Sequence, residues 1–462
     1  MAGAIQKTAI IILTYNNLEY NKQCIESIKK HTVKDTYEII VVDNHSTDGT
    51  VEWLKEQKDL KVILNDYNAG FPKGCNMGIG LASEECDILL LNNDTIVTPR
   101  WLENLQACLY SDKSIGATGA VSNHHENLQG VETTANCDNL EEMIAFAGQN
   151  NISSSIRWEE KIFLIGFCLL IKREVIDKIG LLDEMYSPGY VEDNDLSLRI
   201  ITAGYKLMLC HDAYIYHYLG TAFRKDLDKF LPILYANREK FRQKWGFETF
   251  VFDEVRLDLI RLIDESNPNR PMNILEVGGG LGVTLLKIKS KYPNAKLYAI
   301  EPNEDIAEIT RHVAVTSTQE IGEFPLAFEE HYFDYVFIGN HLEKVASPEA
   351  FLLEIRRYLK EGGYIIGGIQ NLMHYSVLGN VLKGSWLYAH DETLRKDNKT
   401  FFALSDISTL FERCGYKNPY IFHWFSIPNQ EEQRFIEKLC EWSNQRSYMY
   451  NTYAFSVRFQ KG

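Results

Sequence analysis

The stretch Gly189–Arg199, GYVEDNDLSLR, sets three carboxylates, Glu192, Asp193 and Asp195, ahead of Leu196, Leu198 and Ile200. Acidic residues favour the first turn of a helix, where they meet the positive end of its dipole, so the spacing predicts a helix that opens on a carboxylate cluster. One of these groups can act as a base and take a proton from a hydroxyl. The same residues, Asp193 or Asp195 above all, can equally do no more than cap the helix. The residues upstream decide between the two.

Those residues lie on elements that would hold them along one edge. The run AIIILTYNN (Ala9–Asn17) is continuously apolar and then turns polar, as a strand buried on both faces of a parallel sheet does. YEIIVVDNHSTDGT (Tyr37–Thr50), KVILN (Lys61–Asn65) and DILLLNND (Asp87–Asp94) repeat the pattern, with Cys24, Ile25 and Ile28 at helical spacing between the first two. The alternation predicts an α/β layered domain with right-handed crossovers. In such sheets a ligand sits outside the carboxyl ends of the strands. Those ends carry Thr14, Tyr15 and Asn16, then Asp43 and Asn44, then Asn68 and Gly70, then Asn92, Asn93 and Asp94. Each has a bland reading as a turn or cap residue, but four polar ends on one edge predict a binding site.

In the second half, NILEVGGGLGVTLLKI (Asn273–Ile288) reads as a strand, a glycine turn and a helix. Gly278, Gly280 and Gly282 would let the backbone approach a ligand at a helix N-terminus. The spacing is ExGxGxG from Glu276, with Val283 where the dinucleotide fingerprint GxGxxG wants its third glycine. That favours S-adenosylmethionine over a nicotinamide dinucleotide. The next strand, KLYAIEP (Lys296–Pro302), ends in Glu301, placed to accept hydrogen bonds from ribose hydroxyls.

A chain of 462 residues suits two domains, each with its own core. The net charge of −15 argues against a nucleic-acid partner or an anionic membrane surface, and implies that bound phosphate needs a cation. No apolar run approaches the roughly 20 residues of a membrane span; Ile162–Ile171 comes nearest and reads as one buried strand. Nine cysteines without a CxxC pair predict free thiols in a reducing cytoplasm. Arg224–Asp264 has amphipathic helical spacing, with Pro232 kinking or starting a helix, and SNPNRP (Ser266–Pro271) breaks it. These helices either bridge two domains or form a homo-oligomer interface.

TYNN, VVDNHSTDGT, NAGFPKGCNMGI, LLLNNDTIV, GLLDE and YVEDNDLSLR stand in the order seen in family 2 glycosyltransferases of the GT-A fold, and residues of about 7–247 resemble that family, especially its rhamnosyltransferase-like branch. The resemblance implies a nucleotide-diphosphate-sugar donor whose base and ribose are held by Asp43. Asn92–Asn93–Asp94 stands where the family's DxD motif binds ribose and a divalent metal. Asn92 replaces the first aspartate and removes one negative charge, which leaves more of the binding to Asp94. His217, in IYHYLGT, matches a later metal-site histidine; Mn²⁺ accepts imidazole more readily than Mg²⁺ does. Asp193 matches the base of inverting members, Glu192 would contact donor or acceptor sugar, and Asp195 would orient the helix. Lys73, Trp158 and Phe167 are left open between binding and packing.

Residues of about 271–460 resemble class I methyltransferases associated with bacterial sugar and surface-polysaccharide genes. That group reads LEH and PNxxHYSVL where this chain has LEK (Leu342–Lys344) and QNLMHYSVL (Gln370–Leu378), and a histidine-bearing segment is loosened here to DETLRKDNKTFF (Asp391–Phe402). The missing histidines leave His374 or His341 as the base. The expected architecture is a GT-A domain over 1–223, a helical connector over 224–270 and a Rossmann-like methyltransferase domain over 271–462. The expected enzyme transfers a sugar to a glycan, lipid-linked or protein acceptor and methylates the glycan. The alternative keeps the transferase and makes the second domain a non-catalytic binding module.

Overall fold

The apolar runs assemble into two sheets. The computed structural model describes residues 6–123, 129–131, 133, 135, 136, 139–218, 227–249, 254–386 and 395–462. The chain divides into two compact units, Met1–Asp253 and Glu254–Gly462.

The first unit contains β1 (Thr8–Thr14), β2 (Tyr37–Asp43), β3 (Lys61–Leu64), β4 (Asp87–Asn92), β5 (Thr95–Val97), β6 (Ile115–Val121), β7 (Trp158–Lys161), β8 (Cys168–Ile171) and β9 (Lys206–His217). Their order is β3-β2-β1-β4-β8-β6-β9-β5, with β7 on β9. The β3-β2-β1-β4 half is parallel, as the alternation predicts. Ile10 and Ile12 of β1 face one core. On the other side Ile11 and Leu13 lie so close to Gly78 and Gly74 that a Cβ there would clash with them, so helix Phe71–Leu81 rests directly on the strand. The other half is mixed: β8 runs antiparallel to β4 and β6, and β5 and β7 antiparallel to β9.

The expected single strand over Ile162–Ile171 does not form; only Cys168–Ile171 is strand, and Gly166 and Phe167 make a turn before it. The reason is where the backbone donors go. The N–H groups of Leu164, Ile165 and Gly166 bond to Ser197 Oγ, Gln129 Oε1 and Asp193 Oδ2, not to a neighbouring strand.

The stretch expected as a connector is shared between the units. Helix Leu227–Trp245, with Pro232 inside it, belongs to the first. Leu259, Ile260, Leu262 and Ile263 pack with Met272 and Ile274 in a core of the second. Residues 224–226 and Val251 lie outside the described residues.

The second unit contains β10 (Asn273–Val277), β11 (Lys296–Ile300), β12 (Val315–Ser317), β13 (Phe333–Phe337), β14 (Leu359–Gln370), β15 (Tyr416–Phe425) and β16 (Thr452–Lys461). Their order is β12-β11-β10-β13-β14-β16-β15. β10 to β14 are parallel, and β16 inserts antiparallel between β14 and β15. A dinucleotide-binding sheet in the order 3-2-1-4-5-6 has no such inserted strand. Among the described residues no helix is long and apolar enough to cross a membrane.

Candidate active sites

At the parallel edge of the first unit the strand-end residues form a connected polar layer. Thr14 Oγ1 donates to the Asn16 carbonyl at 3.1 Å, and Asn16, with φ 60°, accepts from the Thr47 N–H through Oδ1 at 2.8 Å. Tyr15 between them is exposed. Asp43 is fully buried; its Oδ2 accepts the Ser46 N–H at 2.9 Å, while Oδ1 finds no hydrogen-bond partner among the described residues. A buried carboxylate oxygen left unsatisfied is costly, and it suits a ligand bringing its own donors. Asn68 Oδ1 accepts from the Gly70 N–H at 3.0 Å and from Asn44 Nδ2 at 3.3 Å. Gly70 has φ +80°, and a Cβ on it would lie 2.8 Å from Pro188 Cα, so this loop abuts the approach to the acidic helix.

Asn93 turns inward, donating to Asn21 Oδ1 at 2.8 Å and Thr14 Oγ1 at 3.4 Å. Asp94 meets His217: the β5–β9 ladder sets Thr95 opposite His217, and Asp94 Oδ1 lies 3.1 Å from His217 Nε2. Both are buried. A carboxylate and an imidazole side by side fit Mn²⁺ or Mg²⁺, the rest of whose shell would come from diphosphate oxygens and water. Among the described residues no group of three or more such side chains is arranged for a metal.

The acidic helix spans Glu192–Thr202 and follows two residues in left-handed backbone, Tyr190 and Val191, each at φ 77°. For a β-branched residue such as Val191 that conformation is an outlier, costing roughly 1–3 kcal/mol. The three carboxylates have different surroundings. Asp195 is fully buried and bound to Arg199 Nε at 2.8 Å, Lys244 Nζ at 2.6 Å and Trp245 Nε1 at 2.9 Å. Asp193 is half-buried and accepts the N–H groups of Gly166 at 3.1 Å and Asn194 at 2.9 Å. Glu192 is buried, its Oε2 has no hydrogen-bond partner among the described residues, and burial, then the Asp193 charge, pushes its pKa up to about 8. Neighbouring carboxylates whose environments differ this much are suited to different proton-transfer roles.

This has a measurable consequence. Folded Glu192 keeps its proton up to about pH 8, whereas an unperturbed glutamate releases it near 4.5. Across that window the folded state binds more protons, so its stability falls as pH rises. Glu192→Gln is therefore expected to match the parent near pH 4 and to gain relative stability as pH rises to about 8, by at most about 1.4 kcal/mol per pH unit. Urea unfolding of both proteins across this range checks it; a constant difference would contradict the protonated glutamate.

One dipeptide ties these groups together. The Gly166 N–H reaches Asp193, the Phe167 carbonyl accepts the Asn92 N–H at 2.9 Å, and the Phe167 ring stacks on His217 at 5.1 Å.

In the second unit, Gly278, Gly280 and Gly282 all have positive φ. A Cβ on Gly278 would lie 1.9 Å from His341 Nε2, so the His341 ring covers this turn. Glu301 Oε2 accepts the Gly280 N–H and Oε1 the Asn303 N–H, each at 3.0 Å, and burial raises its pKa. Glu276 is buried and its Oε2 has no hydrogen-bond partner among the described residues; burial pushes its pKa up to about 8, the Arg256 guanidinium opposing and Glu301 adding to the rise. A close-approach glycine turn, two strand-end carboxylates and an orphaned oxygen fit a cofactor that carries an ammonium and ribose hydroxyls, as S-adenosylmethionine does.

Residues 9–180 match the family described as Glycosyl transferase family 2, and residues 247–420 match the family described as Methyltransferase domain. The chain carries a family 2 glycosyltransferase domain followed by a methyltransferase domain. An uncharacterized glycosyltransferase of Haemophilus influenzae is 34% identical over 116 residues, which cover 24% of this chain and 35% of that protein. The chain thus spans about a third of that relative's length. A mannosyltransferase from Pyrobaculum calidifontis, solved in complex with GDP-Man and Mn²⁺, is 15% identical, covering 67% of this chain and 74% of that one at a TM-score of 0.39. A SAM-dependent methyltransferase from Thermotoga maritima, described as a possible histamine N-methyltransferase, is 18% identical, covering 52% of this chain and 98% of that one at a TM-score of 0.32.

In the glycosyltransferase domain, Phe167, left open by sequence, packs on His217, and Trp158 bonds to Asp212. Lys73 lies 5.5 Å from the exposed Tyr67 ring. Two contributors escaped the sequence reading: Gly166, hidden inside an apolar run, and Asn237, one of several polar residues in an amphipathic helix. Neither carries a local signal.

In the methyltransferase domain, His374, one of the two histidines expected as base, lies between two serines. Its Nδ1 contacts Ser376 Oγ at 2.7 Å and its Nε2 contacts Ser426 Oγ at 3.0 Å, so both ring nitrogens are engaged in holding helix Tyr375–Leu382 against the segment after β15. Burial lowers its pKa to about 4. Lys344 of LEK pairs with Asp397 at 2.7 Å, so the two altered segments meet. Residues 391–394 of the second segment lie outside the described residues.

Proposed function

We propose that this chain is a bifunctional glycan-modifying enzyme. Its glycosyltransferase domain moves a sugar, with inversion, from a nucleotide-diphosphate sugar to a hydroxyl on a surface glycan, lipid-linked glycan or protein. Its methyltransferase domain then O-methylates the glycan from S-adenosylmethionine. We place both reactions in the cytoplasm, in keeping with the free thiols of its described cysteines.

The observation that carries the transferase reading is the convergence of Asn92, Asp193 and His217 on the Gly166–Phe167 turn. Asp43 Oδ1 accepts from the nucleoside, and the polar strand ends receive the ribose and diphosphate. Asp94 and His217 would hold a divalent cation, which when bound would supply positive charge against the departing diphosphate. Asp193 takes the acceptor hydroxyl's proton as that oxygen bonds to the anomeric carbon. The bond from that carbon to the diphosphate oxygen breaks, and its electron pair leaves with the nucleotide. Protonated Glu192, beside Asp193, donates a hydrogen bond to a sugar oxygen.

UDP-, GDP- and dTDP-sugars incubated with Mn²⁺ or Mg²⁺ are expected to show nucleotide diphosphate release from one donor, lost in Asp94→Ala. If no donor is hydrolysed and none binds, the transferase reading fails.

For methylation, S-adenosylmethionine supplies a methyl group on a sulfonium. His341, over Gly278, is neutral at pH 7 because burial, then Lys344, lowers its pKa to about 4, which leaves it as the candidate to take the hydroxyl proton. A second reading has a specific basis: with His374 engaged internally and Lys344 paired to Asp397, the domain binds cofactor and glycan without methylating. Methyl-labelled cofactor separates the two, since only the first reading places label on the glycosylated product.

A further inference from the structure

We propose that Asn237 is a positioning residue that latches the strained turn before Asp193 and so sets the geometry of the transfer step, an inference that rests on Asp193 as the base. Asn237 lies in helix Leu227–Trp245, outside the matched family region, and is 1% exposed. Its Nδ2 donates to the Tyr186 carbonyl at 2.6 Å, the Gly189 carbonyl at 2.7 Å and the Tyr190 carbonyl at 3.4 Å. Its Oδ1 accepts from Lys240 Nζ at 2.8 Å, which also donates to the Met185 carbonyl at 2.6 Å. One side chain thus gathers the carbonyls of the segment that runs straight into Tyr190 and Val191, the two left-handed residues preceding Glu192 and Asp193.

A buried amide that satisfies carbonyls of an irregular turn holds that turn in one conformation, because releasing it would strand buried acceptors. Left-handed Tyr190 and Val191 would otherwise relax toward extended or right-handed backbone. Either change rotates the first helical turn and carries Asp193 away from the Gly166 N–H. The same helix is anchored a second time through Lys244 and Trp245 on Asp195. The latch and the anchor are therefore separable by mutation.

The test uses the full chain and two readouts. Hydrogen exchange by mass spectrometry over residues 186–193 needs no substrate; Asn237→Ala is expected to accelerate it at least tenfold. Phe241→Leu, a change in the fully buried face of the same helix, lowers the melting temperature but leaves that exchange near the parent's. In hydrolysis of the donor found by the nucleotide-sugar screen, Asn237→Ala lowers kcat at least tenfold with donor KM within about threefold, and Phe241→Leu keeps kcat. If Asn237→Ala does not fold, Lys240→Met decides, with faster exchange and lower kcat of the same kind. Parental exchange in the latch variant, or equal acceleration in Phe241→Leu, overturns the proposal. A parent that neither hydrolyses nor binds any donor removes the transferase reading instead, and the exchange result still decides the latch.

Discussion

Asp193→Asn is expected to leave nucleotide-sugar binding within a few-fold of the parent and to cut sugar transfer by roughly 10²–10⁴-fold. The side chains have the same size, and an amide oxygen can still accept the Gly166 N–H now held at 3.1 Å. The lost property is the ability to take a proton. In the proposed reading the donor is held elsewhere, by Asp43, the strand ends and the Asp94–His217 pair, so its binding is expected to be spared. Donor titration beside steady-state transfer rates makes the comparison. Undiminished turnover would remove Asp193 from the base role.

The second large effect is on stability and falls on the neighbouring carboxylate. Asp195→Ala is expected to destabilise the first unit by about 3–5 kcal/mol, the usual cost of removing one partner from a buried ion pair. Arg199, Lys244, Trp245 and, at 3.4 Å, the Tyr186 hydroxyl all point at this carboxylate. Arg199 and Lys244 keep some solvent access, with side-chain exposures of 17% and 29%, so water recovers part of the loss. Urea denaturation followed by fluorescence and by exchange within each unit would show the first unit's transition shifted and the second's unmoved. An unmoved first transition would mean that the network is neutral and that Lys244 and Arg199 are satisfied by solvent alone.

These two predictions separate residues two positions apart in sequence that composition treats alike. GYVEDNDLSLR announces an acidic helix start, and the helix begins at Glu192. Which carboxylate is a structural anchor depends on Lys244 and Trp245, about fifty residues later, and which one reaches the turn at Gly166 depends on a segment some thirty residues earlier. His374 teaches the same lesson in the other direction. Its motif suggested a base, whereas Ser376 and Ser426 occupy both ring nitrogens.

By itself the sequence determined the parallel strands, their polar ends and the glycine turn. Burial on both faces and the loss of a Cβ are local properties, written as runs of Ile, Leu and Val and as Gly278, Gly280 and Gly282. Only the tertiary structure decided the mixed half of each sheet, the break at Gly166–Phe167, the meeting of Asp94 with His217 and the hold of Asn237 on the turn before Asp193. Each of these depends on which distant donor finds which acceptor. A hydrogen bond across a hundred residues leaves no periodicity in the chain, and a lone asparagine or glycine that makes one looks the same in sequence as one that makes none.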